Sequence, residues 1–281
     1  MRGASWVSYG SVSESVLRLN SINFVKKVAE AQTELSLCYW REGSYDEARI
    51  ILRGVLARPT LDNELKAKAV LRSAIIERSS LLYNDALRLL INNAPLFEKI
   101  TNHTIKGGYH NELGLVLKNL AAAENREDYI DRAFVEYEAA NFHFEEAHHK
   151  PYRANVENNL GFLYFKAGKF KRAHQHLDRA RRLLVSLKDS GTMAQVDETR
   201  ARVFLVEGRH AEAEKAARWA VCTLEKCGRQ SLLAEALITH GIAVAHPGYY
   251  NQSLSAFKRA IAISEQIGAV NRAGEAALKM V

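Results

Sequence analysis

The sequence predicts an all-α solenoid of about six antiparallel helix pairs, on three observations. A small residue returns at Ala48, Ala86, Ala133, Ala173, Ala213 and Ser253, at intervals of 38, 47, 40, 40 and 40. Three equal intervals of this size mark a repeat whose unit is a helix pair. The stretch from Asn158 to Ala180 then shows what one unit contains. It reads as two amphipathic helices joined by Ala167-Gly168-Lys169, with Gly161, Ala173 and Ala180 where the helices approach and Leu160, Tyr164, Phe170 and Leu177 filling the space between them. Finally, 281 residues contain only 4 prolines and are 47% hydrophobic, which suits long helices and excludes a disordered chain.

Taken in order, residues 1 to about 10 are small and polar, and weak order is expected there. A short helix is expected from Ser13 to Leu19, capped by Ser13, followed by a loop at 20–23; residues 1–28 thus form an N-terminal segment with a partial or capping helix. The first full unit covers 29–58, with Leu35, Tyr39, Tyr45 and Leu52 large and Ser36 and Ala48 small. Gly43 supplies the positive φ that closes its first helix, and Pro59 stops its second. The second unit, 67–94, keeps Ala74 and Ala86 but has Ser79-Ser80 in place of the glycine, and Pro95 opens a connector of about ten residues.

The third unit begins near Lys106 and carries about seven inserted residues around 125–131, which should lengthen a helix or form a loop. The fifth unit has Ala201, Phe204, Gly208, Ala213 and Ala220; the sixth has Gly241, Val244, Gly248, Tyr250, Phe257 and Ala260. The repeat domain therefore spans 29–268, and 269–281 reads as a capping helix or the start of a further, truncated repeat.

The formal charge of +7 is compatible with acidic partners or nucleic acid and demands neither. Cys38, Cys222 and Cys227 cannot make a closed disulfide framework and read as buried or idle thiols of a reducing compartment. No stretch approaches the ~18–20 apolar residues of a membrane span, and the first residues lack the apolar run of a signal peptide. A cytoplasmic protein is expected.

The fourth unit resembles a tetratricopeptide repeat: Leu160-Gly161 with Tyr164, Gly168 with Phe170 and Ala173, then Leu177 and Ala180. The resemblance covers roughly 29–265, with a spacing longer than the family's usual one, as in kinesin light chain and the sensor regions of large bacterial transcription regulators. It implies a right-handed superhelix whose first helices line a concave groove. Groove positions flank the Leu-Gly pair: Asn155, Asn158, Asn159, Phe162 and Lys166 on the fourth unit. The same positions give Asn111, Lys118 and Asn119 on the third unit, Arg72 and Arg78 on the second and Arg202 on the fifth. Amides can bond a peptide backbone in both senses, and cations can hold a carboxylate. A protein or peptide partner, acidic or presenting a C-terminus, is the expectation; a sensor arm of a regulator is the first alternative, and a nucleic-acid-binding helical repeat the second.

His143, His148, His149, His174 and His176 lack the spacing of a convergent metal site. The basic runs 169–172 and 179–182 lie on a second helix and read as a solvated face, without periodic base-reading positions. Gly161 to Lys169 is not a phosphate loop, and no nucleophile elbow, zinc-hydrolase helix or zinc ribbon occurs. No catalysis, cofactor or metal is expected.

Overall fold

The computed structural model describes residues 8–245 and 249–279. Its helices fall into two compact units, residues 1–143 and 144–281. In the first unit, α1 (Ser8–Glu42) pairs with α2 (Tyr45–Leu56) and α3 (Asn63–Ser79) with α4 (Tyr83–Asn92). The short α5 (Ala94–Glu98) and α6 (His103–Glu124) follow, and α7 (Asp128–Glu146) runs to the end of this unit and just beyond. In the second unit, α8 (Lys150–Lys166) pairs with α9 (Phe170–Leu187), α10 (Ser190–Val206) with α11 (His210–Cys227), and α12 (Gln230–Ala243) with α13 (Tyr250–Gln266). The last helix, α14 (Val270–Leu278), packs on α12 and α13.

First and second helices are buried to different extents, and the sequence shows why. On α9 the buried residues Ala173, His176, Leu177, Ala180 and Leu184 recur at three- and four-residue steps, one stripe of an amphipathic helix. On α10 they include Ala194, the run Val196–Thr199, Ala201, Val203 and Phe204, which covers more than one face. In residues 144–281 the first helices are wrapped because they touch their own partners and also one another, α8 on α10 and α10 on α12.

The recurring small residue is buried in every unit: Ala48, Ala86, Ala133, Ala173 and Ala213 are fully covered, and Ser253 hydrogen-bonds through its hydroxyl to the Gly241 carbonyl at 2.9 Å. Facing it, the first helix brings a second small residue against a large one. A Cβ on Gly161 would lie 2.6 Å from Leu177 Cγ, one on Gly114 would lie 2.8 Å from the Tyr137 ring, and one on Gly241 would lie 2.7 Å from Phe257. The fifth pair uses the opposite solution, with Ala201 and Ala217 both buried at the corresponding places.

Several expectations change. The loop expected at 20–23 is helix: α1 runs unbroken from Ser8, because Asn and Ser cost a helix only tenths of a kcal/mol while no Gly or Pro interrupts residues 11–42. The connector after Pro95 contains α5, whose Phe97 is buried and stacks on Tyr109 at 4.3 Å. The left-handed residue of the second unit is Leu81 at φ 63°, one place beyond Ser79-Ser80. Asn125, His148 and Lys188 fill the same role without being glycine. Leu35 and Tyr250, expected to fill the space between helices, are 44% and 67% exposed. All three cysteines are exposed rather than buried. Gly248 lies outside the described residues.

The third unit absorbs its insertion as helix. α6 continues ten residues past Gly114, where α8 continues five past Gly161, and α7 starts five residues before Ala133, where α9 starts three before Ala173. Five of the seven extra residues thus extend α6 and two extend α7, and the three-residue turn keeps its length.

The contact between Gly161 and Leu177 gives a direct test. Gly161→Ala is expected to destabilise by roughly 1–3 kcal/mol through overpacking. Combining it with Leu177→Ala recreates the Ala–Ala pair of the fifth unit, so the double variant should lose less than the sum of the single losses. Denaturant unfolding of the four proteins measures this; strict additivity would show that the two side chains do not meet.

Candidate binding surface on the first helices

In residues 144–281, α8 carries the stripe that the sequence singles out. Asn155, Asn158, Asn159, Phe162 and Lys166 follow three- and four-residue steps, so they share a face. That face is separate from Ala154, Glu157 and Gly161, which are buried. Asn155 and Lys166 are exposed and Asn158, Asn159 and Phe162 half-buried. The Phe162 and Phe165 rings meet edge-on at 6.1 Å. The Oδ1 of Asn158 is buried and accepts no hydrogen bond among the described residues. A buried amide oxygen left unpaired costs about 1–3 kcal/mol, which sets this position apart on the helix.

The neighbouring first helix changes character along the same line. Advancing 40 residues from Asn155, Asn158 and Phe162 reaches Gln195, Glu198 and Arg202 on α10. Arg202 Nε donates to Glu198 Oε1 at 2.6 Å, and Thr239 on α12 donates its hydroxyl to the same oxygen at 2.6 Å. Glu198 holds the Arg202 guanidinium firmly charged against its burial. Advancing another step reaches Glu235, which pairs with Arg272 of α14 and whose carboxyl is pushed upward by burial. Arg202 therefore already serves a carboxylate of its own helix.

In residues 1–143 the expected positions are more tightly engaged. Arg72, Asn111, Lys118 and Asn119 are half-buried on α3 and α6. Arg78 Nε donates to Glu112 Oε1 at 2.6 Å, and Glu112 is 3% exposed. This pair crosses from α3 to α6, and removing one partner of a buried pair typically costs about 3–5 kcal/mol. Arg78 is thereby an interhelical tie. Sequence reasoning picked out the arginine and passed over the acid, although Glu112 sits two residues before Gly114, within the same groove-flanking window.

Four of the five clustered histidines have partners among the described residues, and His148 takes the left-handed turn before α8. His176 Nδ1 lies 2.7 Å from the buried Glu157, and His174 Nε2 lies 2.8 Å from Glu207. His149 precedes α8 as its N-cap and stacks on Tyr152 at 4.1 Å. In residues 1–143, His143 meets His103 through their Nδ1 atoms at 3.0 Å and stacks on His110, which reaches Glu136 at 2.7 Å. No group of three or more His, Cys, Asp or Glu could hold a metal among the described residues.

Burial, then the nearby His110, His103 and Lys106, push His143 down to about 4. An unfolded histidine protonates near 6.5, so between about pH 6.5 and 4 the unfolded chain binds the extra proton, and stability falls as pH falls through that window. His143→Gln should flatten this part of the profile. Thermal unfolding at neutral and mildly acidic pH checks it; equal slopes for the two proteins would remove His143 as the cause.

No protein-family model and no curated protein matches the sequence. Solved structures do. BtubC (BKLC) from P. vanneervenii aligns at TM-score 0.60 and 16% identity over 85% of this chain and 92% of its own. A Rap protein in complex with competence and sporulation factor aligns at TM-score 0.66 and 14% identity over 90% of this chain and 70% of its own. A signal-transduction ATPase with a tetratricopeptide-repeat sensor, from Pyrococcus horikoshii, aligns at TM-score 0.64 and 14% identity over 90% of this chain, which spans 42% of that protein. With its paired helices, buried small residues and these neighbours, the chain has the tetratricopeptide-like helical-repeat fold.

Proposed function

We propose that this protein is a non-catalytic interaction scaffold whose α8 stripe binds an extended peptide of a partner protein. The observation that carries the reading is the buried Asn158 Oδ1, which accepts no hydrogen bond among the described residues and lies on the helix face that also carries Asn155 and Asn159. An extended peptide presents backbone N–H groups at regular intervals, which suits asparagine oxygens, while asparagine amides can donate to its carbonyls. Lys166 at the exposed end of the stripe favours an acidic side chain or a C-terminal carboxylate. The Rap protein whose fold this chain shares was solved in complex with competence and sporulation factor, which supports a binding role.

A sensor arm of a larger regulator is the second reading, favoured by the likeness to the tetratricopeptide sensor of the Pyrococcus horikoshii ATPase. An open reading frame that continues past Val281 into an ATPase or DNA-binding domain would select it; a stop codon there would count against it.

The test of the α8 stripe begins with peptides selected from a random displayed library on the full chain. Asn158→Ala with Asn159→Ala should weaken the selected peptides roughly 10- to 100-fold, at about 0.5–1.5 kcal/mol for each lost hydrogen-bonding group. Thermal stability should stay close to that of the parent. Retained affinity in the double variant would refute the assignment of these two residues.

A further inference from the structure

Helices α9 to α13 together hold a feature that the α8 stripe does not use. A cleft of about 260 Å³ is bounded by Asp178, Arg181, Arg182, Val185 and Arg200. It shares Arg181 and Arg200 with a larger cleft of about 560 Å³ that continues to Phe204, Lys215, Arg218 and Trp219. That one shares Arg218 and Cys222 with a third, of about 450 Å³, which reaches His240, Ser255 and Arg259. Clefts that share lining residues make one open track from α9 across α11 to α13. It includes part of the basic run at 179–182.

Cations exceed the acids that could neutralise them. Arg181 and Arg200 both converge on Asp197 at 3.1 Å, and Arg200 reaches Asp178 at 3.4 Å. Arg200 Nε is buried without an acceptor among the described residues. Arg182 and Lys215 have no carboxylate partner among the described residues. Apolar surface stands in the same track: Trp219 is 37% and Val185 57% exposed.

We propose that this track is a second docking surface, which takes an extended acidic peptide segment with one apolar side chain set beside Trp219. Three features select that occupant. The clefts are open and run end to end, which fits a chain better than a small enclosed anion. Asp178, Asp197, Glu212 and Glu225 interrupt the cations, which repels a continuous phosphate backbone but not a peptide whose carboxylates are spaced. The half-exposed indole in the middle of the track has the amphipathic character of an interface anchor.

The test uses the full chain and short fluorescein-labelled peptides in which glutamate alternates with glycine around one central Leu, Phe or Gly, beside a single-stranded oligodeoxythymidine of equal charge. The Leu or Phe peptide should bind on the order of tenfold more tightly than the Gly peptide, and the oligonucleotide no better than the Gly peptide. Arg182→Glu with Lys215→Glu should weaken the apolar peptides by on the order of tenfold without changing thermal unfolding, and Trp219→Ala should do so separately. Asn158→Ala with Asn159→Ala should leave this binding unchanged, which separates it from the α8 stripe. Bound peptide should also slow maleimide labelling of Cys222 but not of Cys38 or Cys227. The proposal is overturned if neither apolar peptide binds better than the Gly peptide, if the oligonucleotide competes equally, or if Cys222 labelling is unaffected.

Discussion

The fold depends on how closely the two helices of a pair can approach. At Gly161 the room for even one methyl group is absent, because Leu177 already fills it, and Gly114 and Gly241 stand in the same relation to Tyr137 and Phe257. Close approach puts the second-helix alanines, Ala133 and Ala173 among them, in the middle of a dry contact. Interiors packed to this density leave little slack, so the side chains at these places are chosen jointly. The Ala201 and Ala217 of the fifth pair illustrate that joint choice. Within residues 144–281 a pair still leaves an apolar face open, and the next first helix packs there, as α10 does on α8.

Within that apolar frame, the first helices bury a series of acids. Glu112 is tied to Arg78, Glu157 to His176, Asp197 to Arg181 and Arg200, and Glu198 to Arg202 and Thr239. Such pairs contribute little net stability, since desolvating both charges offsets their attraction. Their directionality matters more: Glu198 accepts from α10 and α12 at once, which fixes how those helices are set against each other. At the places of the paired Glu198 and Arg202, α8 has Asn158 and Phe162 instead. That contrast separates the proposed binding helix α8 from its neighbour α10.

Much of the fold was legible in the sequence because it rests on residue size at fixed spacing. Ala173, Gly161 and Gly168 announce a close crossing and a left-handed turn through what they lack, and the structure uses them so. The failures have a common physical origin. Leu81, His148 and Lys188 adopt the left-handed turn although their type does not advertise it, since the surrounding helices impose the geometry. The continuity of α1 through 20–23 came from the absence of a strong breaker, which is harder to read than the presence of one. For the candidate surface, the family resemblance pointed to the face of α8 on which Asn158 lies, but it could not say that Arg78 and Arg202 have carboxylate partners of their own. A side chain's partner on another helix depends on three-dimensional register, and that is absent from a linear pattern.

The left-handed turns after the second helices fall at His148, Lys188, Gly228 and Gly268, each 40 residues from the last. The ends of α9, α11 and α13 are thereby finished in one backbone conformation and at one phase of the repeat. Chain cut and rejoined at two such points meets the same local geometry on either side of the seam. Residues 149–188 and 189–228 therefore behave as cassettes of equal length. Duplication or loss of one would change the number of modules without disturbing the joints, giving this half of the chain a ready route to altered length.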